Sequence, residues 1–257
     1  MKIGVCVDAS KLEAIKKFGY DYIELALVSV ANMSDEAFEL CAKALADSGL
    51  KSETFNCFCS PNIRLSSNAD LEKVEAYAKK AIARAARLGG RVIVVGSGGA
   101  RKVPDGEDFE AAKESFIKVL TVIARIAAEY DIKVAIEPLN KGETNLANTV
   151  AQAAEIAQAA GADNLGYIVD LYHFYINGED FSDIEKYKDR IFHTHIARMN
   201  ADRRIPTMED GESVKQFFDK LKAIDYQGRM SLEGAYYPDF ETSCAEAMKL
   251  FEHFELK

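Results

Sequence analysis

The chain has 257 residues, 48% of them hydrophobic and 28% charged, which is enough apolar material for one large core. Its formal net charge of -9 repels polyanions and speaks against nucleic acid or an anionic membrane as partner. Five cysteines scattered over a chain of this size read as reduced thiols, no stretch reaches membrane length, and the first residues run straight into a strand without an apolar leader, so a cytoplasmic protein is expected.

Strand and helix signals alternate from end to end. Lys2 to Val7 is the first apolar run, followed by a helix with Ser10 as its N-cap and Gly19 as its stop. Tyr22 to Leu27 is the second strand. Ser34-Asp35-Glu36 opens a helix that buries Phe38, Cys41 and Leu45 and closes at Gly49. The third strand is about Lys51 to Phe58, and Cys57 and Cys59 at its end are expected on one face, packing in the core or lining a pocket. From Asp70, apolar residues at three- and four-residue steps predict a long helix ending at Gly89-Gly90, and Arg91 to Val95 is a buried strand by its β-branched content. Another long helix spans Asp108 to Tyr130, with strand five after Asp131 and helix five from about Asn148 to Ala160. A short helix near Phe181 to Lys188, one carrying Val214, Phe217 and Leu221, and one through Met248 and Phe251 complete the set.

Strict alternation demands parallel strands joined by crossover helices, which leaves a barrel or an open doubly wound sheet. Eight strands and eight helices favour the α/β class with a single (β/α)8 TIM barrel over residues 1–257.

Four polar residues each close an apolar run: Glu137, Asp170, His195 and Glu233. Steps of 33, 25 and 38 residues separate them, each the length of one strand, helix and return. A barrel brings the carboxyl ends of such strands to one mouth, where two glutamates, an aspartate and an imidazole make a divalent cation site. Glu137 and Glu233 are also suited to work as acid and base.

Ile136-Glu-Pro-Leu-Asn-Lys-Gly-Glu-Thr144, Val169-Asp-Leu-Tyr-His173, Phe192-His-Thr-His-Ile196 and Ser231-Leu-Glu-Gly234 resemble the motifs of the xylose isomerase-like sugar isomerase and epimerase superfamily. Within it they are most similar to the ketose 3-epimerase branch that contains D-tagatose and D-psicose 3-epimerases. The resemblance implies metal ligation by Glu137, Asp170, His195 and Glu233, with manganese favoured over cobalt or magnesium. It implies C3 epimerisation of a ketose through a cis-enediolate, a sugar or keto-polyol substrate, and a homodimer or homotetramer. Glu143 and His173 match substrate-contacting positions. The family's arginine after the histidine ligand has no counterpart six residues on, where Ala201 stands; Arg203 is taken instead, assuming a two-residue insertion. His193 shares a strand face with His195 and is expected to orient its neighbours, whereas His253 on the last helix is read as surface.

Gly96-Ser-Gly-Gly-Ala-Arg-Lys102 offers two readings, an anion cradle with Arg101 or a flexible turn over the pocket, of which the turn is favoured. Phe58, Phe174, Tyr236 and Tyr237 are candidate apolar walls. Asp8, Glu24 and Asn56 end early strands, either touching distal hydroxyls or making structural links. Competing functions are a keto-polyol (inosose-type) dehydratase or lyase, an aldose-ketose isomerase at the same site, and an AP endonuclease-like hydrolase. The last needs further histidines at early strand ends, and Thr54 to Cys59 and Val94 to Ser97 contain none.

Overall fold

Each apolar run becomes a strand that stops at or near the polar residue closing it. In the computed structural model, which describes residues 1–257, the strands are β1 (Lys2–Cys6), β2 (Tyr22–Ala26), β3 (Ser52–Asn56), β4 (Val92–Val95), β5 (Lys133–Ile136), β6 (Leu165–Asp170), β7 (Ile191–Ile196) and β8 (Arg229–Leu232). All pair in parallel with their sequence neighbours, and β8 closes onto β1 through Lys2–Arg229 to Val5–Leu232, giving a closed (β/α)8 barrel.

Parallel neighbours need crossovers, and amphipathic helices supply them. These are α1 (Leu12–Lys17), α3 (Asp35–Ser48), α4 (Leu71–Arg87), α6 (Phe109–Ala128), α7 (Val150–Ala160), α9 (Ser182–Lys186), α10 (Gly211–Ala223) and α11 (Phe240–His253). Ser34, Asp70 and Asp108 accept backbone N–H groups at the starts of α3, α4 and α6, as their residue types predict. The first cap differs from expectation. Asp8, not Ser10, accepts the N–H of Ser10, and a 3-10 turn over Ala9–Lys11 precedes α1.

Three further helices, α2 (Leu27–Asn32), α5 (Gly98–Arg101) and α8 (Leu171–Asn177), follow the even strands β2, β4 and β6, α2 and α8 directly and α5 after two residues. They have six, four and seven residues, too few for a hydrophobic period to declare itself. None of the helices is long and apolar enough to cross a membrane.

Outward strand residues and the inner faces of the helices make one core cluster of 65 buried residues. Inside the barrel the packing is separate: Val92, Val94, Ala135 and Ile168 form their own cluster. Tyr22 fills the space left by Gly4, where a Cβ would stand 2.3 Å from its ring, and its hydroxyl bonds Ser231 Oγ at 2.8 Å. Toward the N-terminal end Glu53 accepts from Lys2 Nζ at 2.6 Å and Arg229 Nε at 2.7 Å. The C-terminal mouth is left to polar groups.

Candidate metal centre and active site

Strand pleating turns every second residue inward, so the last inward residues of β5 to β8 converge. One ligand atom each from Glu137, Asp170, His195 and Glu233 lies within 4.8 Å of the others. His195 Nδ1 is 3.4 Å from Glu137 Oε1, 3.3 Å from Glu233 Oε2 and 4.0 Å from Asp170 Oδ2. Asp170 divides its oxygens: Oδ1 caps α8 by accepting from the Tyr172 and His173 N–H groups, which leaves Oδ2 facing the centre. Asn56 donates to Glu233 Oε1 at 2.7 Å, leaving Oε2 toward His195.

The electrostatics follow from burial and crowding. Burial pushes Glu137 above the usual carboxylate range, and the charge of Glu233 adds to the effect. Burial acts the same way on Glu233, but His195 and Arg203 outweigh it and hold that carboxylate well below its usual range. His195 is driven well above the ordinary imidazole value by Glu233 and Glu24, against its own burial. Such a pocket recruits positive charge. Arg203 NH2 lies 2.8 Å from Asp170 Oδ2 and also bonds Glu233 Oε2, standing where the donors converge. Three carboxylates and one imidazole fit a hard to borderline divalent ion.

The remaining expected residues fall as follows. His173 Nδ1 accepts from the Asn140 N–H at 3.2 Å, which places the ring proton on Nε2. That buried Nε2 has no hydrogen-bond partner and sits 3.7 Å from Asp170 Oδ2 and 3.9 Å from Glu143 Oε1. Glu143 is exposed at the mouth and accepts from Asn140 Nδ2 at 2.8 Å. Of the three arginines after His195, only Arg203 enters the centre. Arg198 pairs with Asp202, and Arg204 stacks on Tyr237 at 3.9 Å. The Arg203 backbone lies at φ 47, held by N–H donation to Asn200 O and acceptance from Ala235 N–H.

Glu24 is the residue whose importance the sequence concealed. It is buried beneath the cluster, with Oε2 2.8 Å from His193 Nε2 and Oε1 3.1 Å from His195 Nε2, while Thr54 Oγ1 donates to Oε2 at 2.7 Å. It lies in the middle of β2 rather than ending it, and a glutamate within an apolar run looks alike in sequence whether it meets water or two imidazoles.

Several expectations are corrected. Arg101 is fully buried and donates to the carbonyls of Val95, Glu137 and Ala147 at 3.0, 2.5 and 3.5 Å, so it ties β4 and β5 to the following loop and meets no substrate. Within the Gly96–Lys102 segment Gly98 to Arg101 form the single helical turn α5, and with its guanidinium turned to backbone carbonyls Arg101 completes no anion cradle. Cys57 is exposed at φ 47 beyond the end of β3, and Cys59 is buried, so the two do not share a strand face. Phe58 and Phe174 are core residues packed on Tyr77 and Phe181, and Tyr237 is exposed; only Tyr236, whose hydroxyl donates to Cys6 O, borders the mouth. His253 is exposed, as expected. A cavity of about 810 Å³ opens at the opposite face among Arg91, Lys133, Phe192 and Arg229 and shares no residue with the cluster.

Comparison with known proteins shows the family. Over 147 residues the chain is 32% identical to an inosose isomerase of Halalkalibacterium halodurans, covering 53% of this chain and 51% of that protein. Over 121 residues it is 31% identical to a probable ketose 3-epimerase of Synechocystis, covering 47% and 41%. The chain thus spans about half the length or less of these two curated relatives. A D-psicose 3-epimerase of Agrobacterium fabrum is 24% identical over 86% of this chain and 77% of its own length. Among solved structures, a 3-keto-D-glucoside 4-epimerase from E. coli superposes over 100% of both chains with a TM-score of 0.82 at 21% identity. The IOLI protein, solved with a bound zinc atom, covers 100% of this chain and 97% of its own with a TM-score of 0.75, also at 21% identity. At these identities the superpositions speak for the fold alone. The family described as xylose isomerase-like TIM barrel matches residues 12–253, nearly the whole chain. The chain belongs to the xylose isomerase-like TIM-barrel family.

Proposed function

We propose that the protein is a divalent-metal-dependent sugar epimerase that inverts C3 of a ketose, with Glu137 and Glu233 as the acid and base. The observation that carries this reading is the convergence of two carboxylates from the ends of β5 and β8 on His195 Nδ1, at 3.4 and 3.3 Å. A C–H bond between a hydroxyl and a carbonyl is too weakly acidic for a carboxylate in water. A divalent ion, manganese in preference to cobalt or magnesium, held by Glu137, Asp170, His195 and Glu233, supplies the positive charge that removes this obstacle.

One glutamate takes the C3 proton, the C–H electron pair forms the C2–C3 double bond, and the carbonyl pair moves onto O2, giving a cis-enediolate. The other glutamate delivers a proton to C3 from the opposite face while O2 returns its pair to the carbonyl. Each turnover exchanges the protonation states of the two carboxyls, and solvent exchange resets them. His173 Nε2–H, lacking any partner within the protein, is a donor for a substrate oxygen, and Glu143 and Arg203 are further polar contacts.

A second reading keeps the same two carboxylates and isomerises a keto-polyol, favoured by the 32% identity to an inosose isomerase. Dehydration of a keto-polyol and aldose-ketose isomerisation remain further variants of the same enediolate chemistry. A panel of ketoses, sugar phosphates and inososes, incubated in D2O with manganese-loaded protein and read by NMR, separates them. Epimerisation of a ketose with one deuterium at C3 is the expected result. Inversion without label, or turnover of inososes alone, rejects the ketose epimerase.

A further inference from the structure

The proposed reaction makes no use of Glu24, a carboxylate 1% exposed in the middle of β2. Burying an ionised carboxylate is costly unless donors surround it. Thr54 Oγ1 donates to Glu24 at 2.7 Å, and the Nε2 atoms of His193 and His195 face it at 2.8 and 3.1 Å. The His193 ring is anchored in turn by Nδ1, 2.9 Å from the carbonyl of Arg229. It packs edge-on against His195, with centroids 4.7 Å apart and planes at 90°, so His195 is confined on two sides.

The two nitrogens of His195 face different surroundings. Nδ1 sees the oxygens of Glu137, Asp170 and Glu233, whereas Nε2 sees the carboxylate of Glu24. An imidazole that binds a cation through Nδ1 must carry its proton on Nε2, and an acceptor there fixes both the tautomer and the ring plane. We infer that Glu24, braced by His193 and Thr54, is a positioning residue that holds His195 as its Nε2–H tautomer and directs the Nδ1 lone pair into the cation site. The inference rests on reading the Glu137, Asp170, His195 and Glu233 cluster as that site. The negative charge of Glu24 also makes the imidazole a stronger donor, so its removal acts on cation affinity more than on the fold.

Glu24→Gln keeps the shape and an oxygen facing His195 but removes the charge, and His193→Gln removes the brace. Titration calorimetry with manganese chloride should show affinity falling about tenfold for Glu24→Gln and by up to about 100-fold for Glu24→Ala, with a smaller loss for His193→Gln. Visible absorption of the cobalt-loaded protein should shift in all three, reporting an altered ligand field. Glu53→Gln, which alters a buried ion pair at the other end of the barrel, should lower the melting temperature while leaving manganese affinity within about twofold of wild type. Glu24 variants that lose thermal stability yet bind manganese within about twofold of wild type, with an unchanged cobalt spectrum, would reduce Glu24 to a packing role and overturn the inference. Wild-type protein that binds neither ion overturns the cation site itself, and the inference with it.

Discussion

Asn56 Nδ2 donates to Glu233 Oε1 across 2.7 Å, so the end of β3 holds a carboxylate that belongs to the end of β8. With one oxygen occupied, the other has a fixed direction, toward His195 Nδ1. Replacing Asn56 with leucine keeps the approximate volume and removes the donor. The expected outcome in steady-state kinetics is a fall in kcat of about tenfold with little change in KM, because the carboxylate is loosened while substrate contacts stay. An unchanged kcat would show that Glu233 needs no such support.

Glu137→Gln and Glu233→Gln each remove a proton carrier and weaken a cation ligand. Each should lower turnover by about 10²- to 10⁴-fold. After reconstitution with manganese, activity near wild type in either variant would sink the two-base reaction.

Gly96 has no side chain for a steric reason. A Cβ there would stand 2.1 Å from Glu137 Oε2, so Gly96→Ala forces the carboxylate out of its position. The flexible end of Glu137 gives way rather than the backbone, so the fold should survive. Circular dichroism like that of wild type, together with a loss of turnover of about 100-fold or more, is expected. Full activity would place the working position of Glu137 elsewhere.

Arg101 is a structural element rather than a substrate contact. Arg101→Met should destabilise the fold by at least about 2 kcal/mol in urea unfolding, since the carbonyls of Val95 and Glu137 lose their buried donors at 3.0 and 2.5 Å. A variant with unchanged stability and raised KM would restore it to the substrate.

Burial pushes Glu179 up to about 7, although its Oε2 accepts the Val150 N–H at the start of α7. Its folded-state value lies above the unfolded one near 4.5, so the stability it contributes is full below pH ~4.5 and is lost as pH rises through ~7. Glu179→Gln retains an acceptor for Val150 without the charge. Calorimetry should therefore give equal melting temperatures near pH ~5 and a variant more stable by about 2–4 °C above pH ~8. A wild-type protein that gains on the variant with rising pH would reverse the sign and refute the burial of that charge.

The amino-acid sequence by itself determined the alternation of strands and helices, the caps at Ser34, Asp70 and Asp108, and the closure of four apolar runs by Glu137, Asp170, His195 and Glu233. These are regularities among neighbours along the chain, and hydrophobic period and turn chemistry express them locally. Helices α2, α5 and α8 escaped because four to seven residues carry no readable period. Only the tertiary structure decided that Arg101 is spent on backbone carbonyls, that Arg203 rather than Arg198 or Arg204 turns inward, and that Glu24 lies under two histidines more than 160 residues away. Such choices depend on which atoms meet after the barrel closes, when β8 pairs with β1, and burial then makes an unpaired charge costly. No sequence neighbourhood records that cost.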